Sequence, residues 1–119
     1  MGNPIVHFEI TGGRLGQLAD FYSRLFGWNV NSDNPMQYGV VDTGSKQGIN
    51  GGLFTNRDGA SRVTLYAQVD DLQATLDRAE KLGGKTIMPP SDVPGGPRLA
   101  VFADPTGNVI GLMQAGTMG

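Results

Sequence analysis

Residues 6–27, VHFEITGGRLGQLADFYSRLFG, align without a gap with residues 63–84, VTLYAQVDDLQATLDRAEKLGG. Val6, His7 and Phe8 fall on Val63, Thr64 and Leu65. The helical core positions Leu15, Leu18, Ala19, Tyr22 and Leu25 then meet Leu72, Thr75, Leu76, Ala79 and Leu82, and Gly27 meets Gly84. After a slip of two positions, Gly52-Leu53-Phe54 matches Gly111-Leu112-Met113. Few residues are identical, so what repeats is the order of apolar, helical and glycine signals, which marks a duplicated supersecondary unit. The expectation is one domain over residues 1–119, with one unit near residues 3–57, a second near 60–116, and any site between these related halves.

Local signals fill in each unit. Ile5 to Ile10 reads as a strand broken by Thr11-Gly12-Gly13, and Arg14 to Phe26 as an amphipathic helix that Gly27 ends as its C′ residue. Trp28 to Val30, Gln37 to Asp42 and Ile49 to Phe54 are three further strands. The second unit repeats the order. Arg62 to Val69 is a strand, and Asp70 with Gln73 resembles a capping box opening a helix that Gly83-Gly84 stops. Strands at Lys85 to Met88, Leu99 to Ala103 and Val109 to Gln114 follow, the last two joined by the turn Asp104-Pro105-Thr106-Gly107-Asn108. Pro89 to Pro97 reads as a long loop that joins no ladder and is either a lid or a plain connector. Four strands between two helices separate this pattern from a ferredoxin-like domain, and the fold class is α+β.

Composition bounds the function. Nine Lys plus Arg stand against eleven Asp plus Glu, with no block of like charge, so neither nucleic acid nor an anionic membrane is an expected partner. With no cysteine there is no disulfide, thiolate metal site or Cys nucleophile, in keeping with a cytoplasmic protein. Nineteen glycines, most flanking apolar runs, read as turn and bulge positions. Neither a phosphate-binding Gly-x-x-x-x-Gly-Lys, a Gly-x-Gly-x-x-Gly nor a Gly-x-Ser-x-Gly is present.

The tandem β-α-β-β-β units, with Phe21-Tyr22-Ser23-Arg24-Leu25-Phe26-Gly27-Trp28 closing the first helix and Asp104-Pro105-Thr106-Gly107-Asn108 before the last strand, resemble the vicinal oxygen chelate superfamily. That group includes glyoxalases, extradiol dioxygenases and bleomycin and fosfomycin resistance proteins. The resemblance implies curved mixed sheets around a cavity that typically holds a divalent metal, and assembly as a homodimer. The metal ligands of that superfamily come from the first and last strands of each unit. Carried onto this chain, those places are His7, Gly52, Thr64 and Gly111, of which only His7 is a metal ligand. Where the family pattern reads Gly-Asn-x-x-Glu-Leu, this chain reads Gly107-Asn108-Val109-Ile110-Gly111-Leu112. A catalytic divalent site takes about three protein ligands, so no cofactor is expected and a metal is disfavoured.

Strand alternation then selects the candidate site. His7 and Glu9 share one face of the first strand, opposite Val6, Phe8 and Ile10. Thr64, Tyr66 and Gln68 share the matching face of the fifth, opposite Val63, Leu65, Ala67 and Val69. If the apolar faces pack on the helices, the polar faces supply ligand contacts, with Gly52 and Gly111 allowing close approach. Tyr66, Trp28 and Phe54 offer aromatic faces to a flat ligand or simply fill the core. His7, the only histidine, is the best acid or base, with Glu9 as its proton-transfer partner; the plain alternatives are a cavity-wall histidine and a solvated carboxylate. Two functions are weighed. One is a metal-independent protein that binds a small organic molecule. The other is a lyase, isomerase or dioxygenase relative using His7 and Glu9 or an unrecognised metal site.

Overall fold

The computed structural model describes residues 2–56 and 58–117. It is an α+β fold with the order β1 (Ile5–Gly12), α1 (Leu15–Phe26), β2 (Asn29–Asn31), β3 (Gly39–Asp42), β4 (Gly51–Thr55), β5 (Arg62–Val69), α2 (Leu72–Lys81), β6 (Lys85–Asp92), β7 (Arg98–Ala103) and β8 (Val109–Gln114). The tandem β-α-β-β-β pattern is therefore present. Two compact units result. One is Val6–Thr64; the other starts at Leu65 and includes Ile5 and the residues before it. The backbone explains that last assignment, since Gln68 N–H donates to the Pro4 carbonyl at 2.9 Å.

In the first unit the strands run in the order β2-β3-β4-β1, with β1 parallel to β4 and the other pairs antiparallel. Of the predicted break Thr11-Gly12-Gly13, only Gly13 lies outside the strand, because Thr11 and Gly12 pair in register with Phe54 and Thr55 of β4. Arg14 gives α1 no side-chain cap. Thr55 Oγ1 accepts from Leu15 N–H at 2.9 Å instead, so β4 supplies the helix with a cap. At the other end Gly27 takes φ 72°, and its N–H donates to the Ser23 carbonyl. Leu15, Leu18, Ala19 and Tyr22 are half-buried, whereas Leu25, expected on the same stripe, is 58% exposed beside exposed Phe21 and Phe26. Among the described residues, Val41 and Leu53 are the fully buried side chains of this unit.

The second unit repeats the topology as β6-β7-β8-β5, with β5 parallel to β8. Val69, Leu72, Leu76, Ala100 and Leu112 form its core, with Ala67 and Phe102 packed against them. Only the later half of the apolar face of β5 enters that core, and Val63 and Leu65 remain exposed. The cap of α2 is Asp71 rather than Asp70: its carboxylate accepts from Ala74 N–H at 3.0 Å, while Gln73 turns to Asp77.

The largest departure is β6, which continues through Pro89 and Pro90 to Asp92. It ends its sheet, so only one side must pair, and register shifts between Thr86 and Met88 and between Met88 and Ser91 accommodate residues that lack an N–H. The remaining residues to Pro97 form a turn closed by Gly96 N–H on the Val93 carbonyl. The first four residues of the expected loop are thus edge strand, and the other five form the turn. In the turn after β7, the Asn108 side chain and the backbone N–H groups of Asn108 and Thr106 hold the Asp104 carboxyl down at about 2.

Candidate functional site

Alternation along β1 sends Phe8 to one face and His7 and Glu9 to the other. Phe8 lies 5.2 Å from Trp28, which stacks on Tyr22 at 5.3 Å and packs against Phe26 at 5.1 Å, so Trp28 belongs to an aromatic cluster with α1. Opposite these residues β4 carries two glycines in a row, Gly51 facing Phe8 and Gly52 facing Glu9 in the ladder. A β-carbon on Gly51 would overlap the Phe8 ring, and one on Gly52 would overlap the hydroxyl of Tyr38. Adjacent strand residues point to opposite faces, so the glycine pair makes room for one aromatic ring on each side.

Tyr38 is the residue that sequence reasoning missed. Its hydroxyl donates to Glu9 Oε2 at 2.9 Å and lies 2.9 Å from His7 Nε2. A phenol has one hydrogen, and an ionised carboxylate can only accept. The His7 contact must therefore run from Nε2–H to the Tyr38 oxygen, which sets the Nε2–H tautomer whenever His7 is neutral. Burial favours that neutral form, lowering the His7 pKa from its ordinary value. Phe54, two residues beyond Gly52, stands 5.7 Å from the Tyr38 ring.

Tyr38 precedes β3, although the sequence pattern places it inside that strand. Asn34 holds it in place: Asn34 Nδ2 donates to the Tyr38 carbonyl at 2.8 Å, and Tyr38 N–H donates to Asn34 Oδ1 at 2.9 Å. Gln37 between them has φ 52°, the one positive φ at a non-glycine residue among the described residues. A signal for Tyr38 did exist. Glycines inside a strand mark the close approach of something bulky, and an aromatic ring over a strand glycine is a recurring solution.

The second unit places a tyrosine over a glycine as well. Tyr66 is the ladder partner of Gly111, whose β-carbon would overlap the Tyr66 ring, and Tyr66 is only 5% exposed. That ring is packed rather than open. Thr64 and Gln68 are half-buried on β5. Of the expected site residues, His7, Glu9 and Gly52 are thus joined through Tyr38, and Tyr66 meets Gly111 directly. Two clefts also occur within the second unit. One, of about 500 Å³, is lined by Asp70, Asp71, Gln73, Pro90, Arg98 and Gln114, several of which are engaged: Asp71 caps α2, and Arg98 holds Asp92 and Gln114. The other, of about 350 Å³, runs beside α2 and is largely apolar.

The donor set does not fit a divalent ion. Among the described residues no three His, Cys, Asp or Glu side chains come together as a ligand cluster. Gly52 and Gly111 have no side chain to give, and tyrosines occupy the space where one would begin. His7 and Glu9 are both engaged by one phenol.

Residues 4–112 match the family described as the Glyoxalase/Bleomycin resistance protein/Dioxygenase superfamily. The chain belongs to that superfamily. This member is 32% identical to the anthracycline biosynthesis protein DnrV of Streptomyces peucetius, an alignment covering 93% of this chain and 46% of that protein. It is 34% identical to the putative glyoxylase CFP32 of Mycobacterium tuberculosis over 80% of this chain and 39% of that one. The chain thus spans less than half the length of either relative. Among solved structures, a hypothetical protein from Bacillus halodurans shares the fold with a TM-score of 0.75, at 12% identity over 100% of this chain and 99% of that chain.

Proposed function

We propose that this superfamily member binds a small, partly apolar organic molecule without using a metal, and that His7 and Glu9 supply the polar contacts. The observation that carries the reading is the Tyr38 hydroxyl between His7 and Glu9 above Gly52: a donor and an acceptor fixed side by side where a metal cage would need more ligands. Gly52 belongs to the same proposed set of contacts; Thr64 and Gln68, half-buried on β5, are proposed as further ligand contacts, whereas Tyr66 and Gly111 are closed against each other. The relatives named for anthracycline biosynthesis support an anthracycline-like ligand. The proposal includes a cytoplasmic homodimer with no nucleic-acid partner. Exposed Phe21, Leu25 and Phe26 on α1 support a second copy as the partner. No helix among the described residues is long and apolar enough to cross a membrane.

Calorimetric titration with anthracycline-type and other polycyclic ligands, before and after treatment with a chelator, tests this. Binding that survives chelation is the expected result. Loss of binding on chelation, with recovery on adding back one divalent metal, would overturn the metal-independent reading.

One observation favours an enzyme as the second reading. Burial favours the neutral His7 imidazole, and a neutral imidazole hydrogen-bonded through a phenol to a carboxylate has the groups for proton transfer. The relatives named as putative glyoxylases support an enzyme as well. Turnover lost in both His7→Gln and Glu9→Gln, with ligand binding retained, would place this reading first.

A further inference from the structure

The side chain of Tyr38 is a tethered p-cresol, and its neighbours supply what a phenol needs. His7 Nε2–H gives the oxygen a donor, Glu9 Oε2 takes the hydrogen, and Phe54 stands beside the ring. The bare backbone of Gly52 lets the hydroxyl end lie against β4. The His7 and Tyr38 rings are nearly parallel, with an interplanar angle of 22°. We propose that this face of β1 and β4 is a recognition subsite for an aromatic hydroxyl group, and that Tyr38 fills it as the chain's own competitor for a ligand phenol. The inference rests on the small-molecule-binding reading and adds to it the chemical class of the ligand.

The way Tyr38 is held supports an exchangeable occupant. It projects from the irregular segment before β3, and the two bonds of Asn34 clamp that segment around a Gln37 backbone in a region that L-residues rarely adopt. An incoming phenol would replace Tyr38 one for one. His7 and Glu9 would each keep a partner, and the displaced Tyr38 hydroxyl would pass to water. A tethered competitor lowers the apparent affinity of the incoming ring by the fraction of time that it occupies the subsite. An aromatic ring without a hydroxyl makes neither hydrogen bond, and a site built around such bonds discriminates strongly against it.

The test compares p-cresol with toluene on the full chain, following the ring protons of the only histidine by NMR. Tyr38→Ala vacates the subsite, and Asn34→Ala keeps Tyr38 while releasing its clamp. The expected result is that Tyr38→Ala binds p-cresol at least about tenfold more tightly than toluene, with shifts in the His7 signals. Asn34→Ala should bind p-cresol several-fold more tightly than the unaltered chain. A folded Tyr38→Ala protein with equal affinity for the two compounds would overturn the inference. If Tyr38→Ala does not fold, an Asn34→Ala protein no better than the unaltered chain in p-cresol affinity would overturn it equally. Failure here is distinguishable from failure of the broader reading. A chain that binds polycyclic ligands without preferring their hydroxylated forms keeps the function and loses the subsite. One whose Tyr38→Ala variant selects p-cresol, but which binds no larger organic molecule, keeps the subsite and loses the function.

Discussion

A β-carbon at position 52 would occupy the same space as the Tyr38 hydroxyl, so Gly52 decides whether the His7–Tyr38–Glu9 chain of hydrogen bonds can exist. Gly52→Ala is expected to cost about 1–3 kcal/mol by overpacking and to drive the phenol out. Chemical denaturation checks the first outcome. The His7 titration checks the second, because a more solvated imidazole should move up toward its ordinary pKa. In the unaltered chain that pKa is lowered by burial. The folded state therefore holds the neutral form more strongly than the unfolded state does. The stability from His7 is complete above the unfolded pKa, near 6.5, and is lost as pH falls from there through the folded value. Thermal midpoints measured from pH 7.5 to 5 should fall more steeply for the unaltered chain than for His7→Gln, which has nothing to titrate at this position. Parallel curves would show that His7 is not the group responsible.

Elements show how far the periodic signals reach. The bounds of β5 and β8 coincide with the sequence expectation, because each is an uninterrupted run whose ends are marked by turn residues. For α2, the capping-box pattern points to Asp70, and backbone geometry moves the cap one residue on: Asp71 is the extended residue whose carboxylate reaches Ala74 N–H. Asp71→Ala is accordingly expected to cost about 1 kcal/mol in a denaturant titration, and Asp70→Ala to cost much less. Equal losses would mean that the capping assignment is wrong. β6 was illegible past Met88, since consecutive prolines exclude a central strand and nothing local announces an edge. Within the site, alternation alone placed His7 and Glu9 together on one face. Tyr38 lay beyond that reasoning. Its bonds to them span 31 and 29 residues of sequence, and its position depends on the Asn34 clamp and the Gln37 turn.

At the scale of the whole molecule, the duplication read from residues 6–27 and 63–84 returns as two units with the same strand order and the same parallel pairing of first and last strands. The halves then diverge where chemistry is concerned. In one, a loop tyrosine bonds to His7 and Glu9; in the other, Tyr66 is itself the ladder partner of Gly111 and is packed away from water. Duplicated scaffolds thus keep their hydrogen-bonding frame while the side chains laid over each glycine are free to differ. The terminal strands of the two units, β2 and β6, are also unlike one another. β2 is three residues long, and β6 is bulged and carries Pro89 and Pro90. Both are poor templates for an added strand, because short length, kinks and missing N–H groups leave little to extend a ladder upon. The consequence is protection against amyloid-like stacking at the exposed margin. Replacing Pro89 and Pro90 together by threonine is expected to leave the fold intact and to raise light scattering on prolonged incubation just below the melting temperature; unchanged scattering would show that the prolines do not guard this margin.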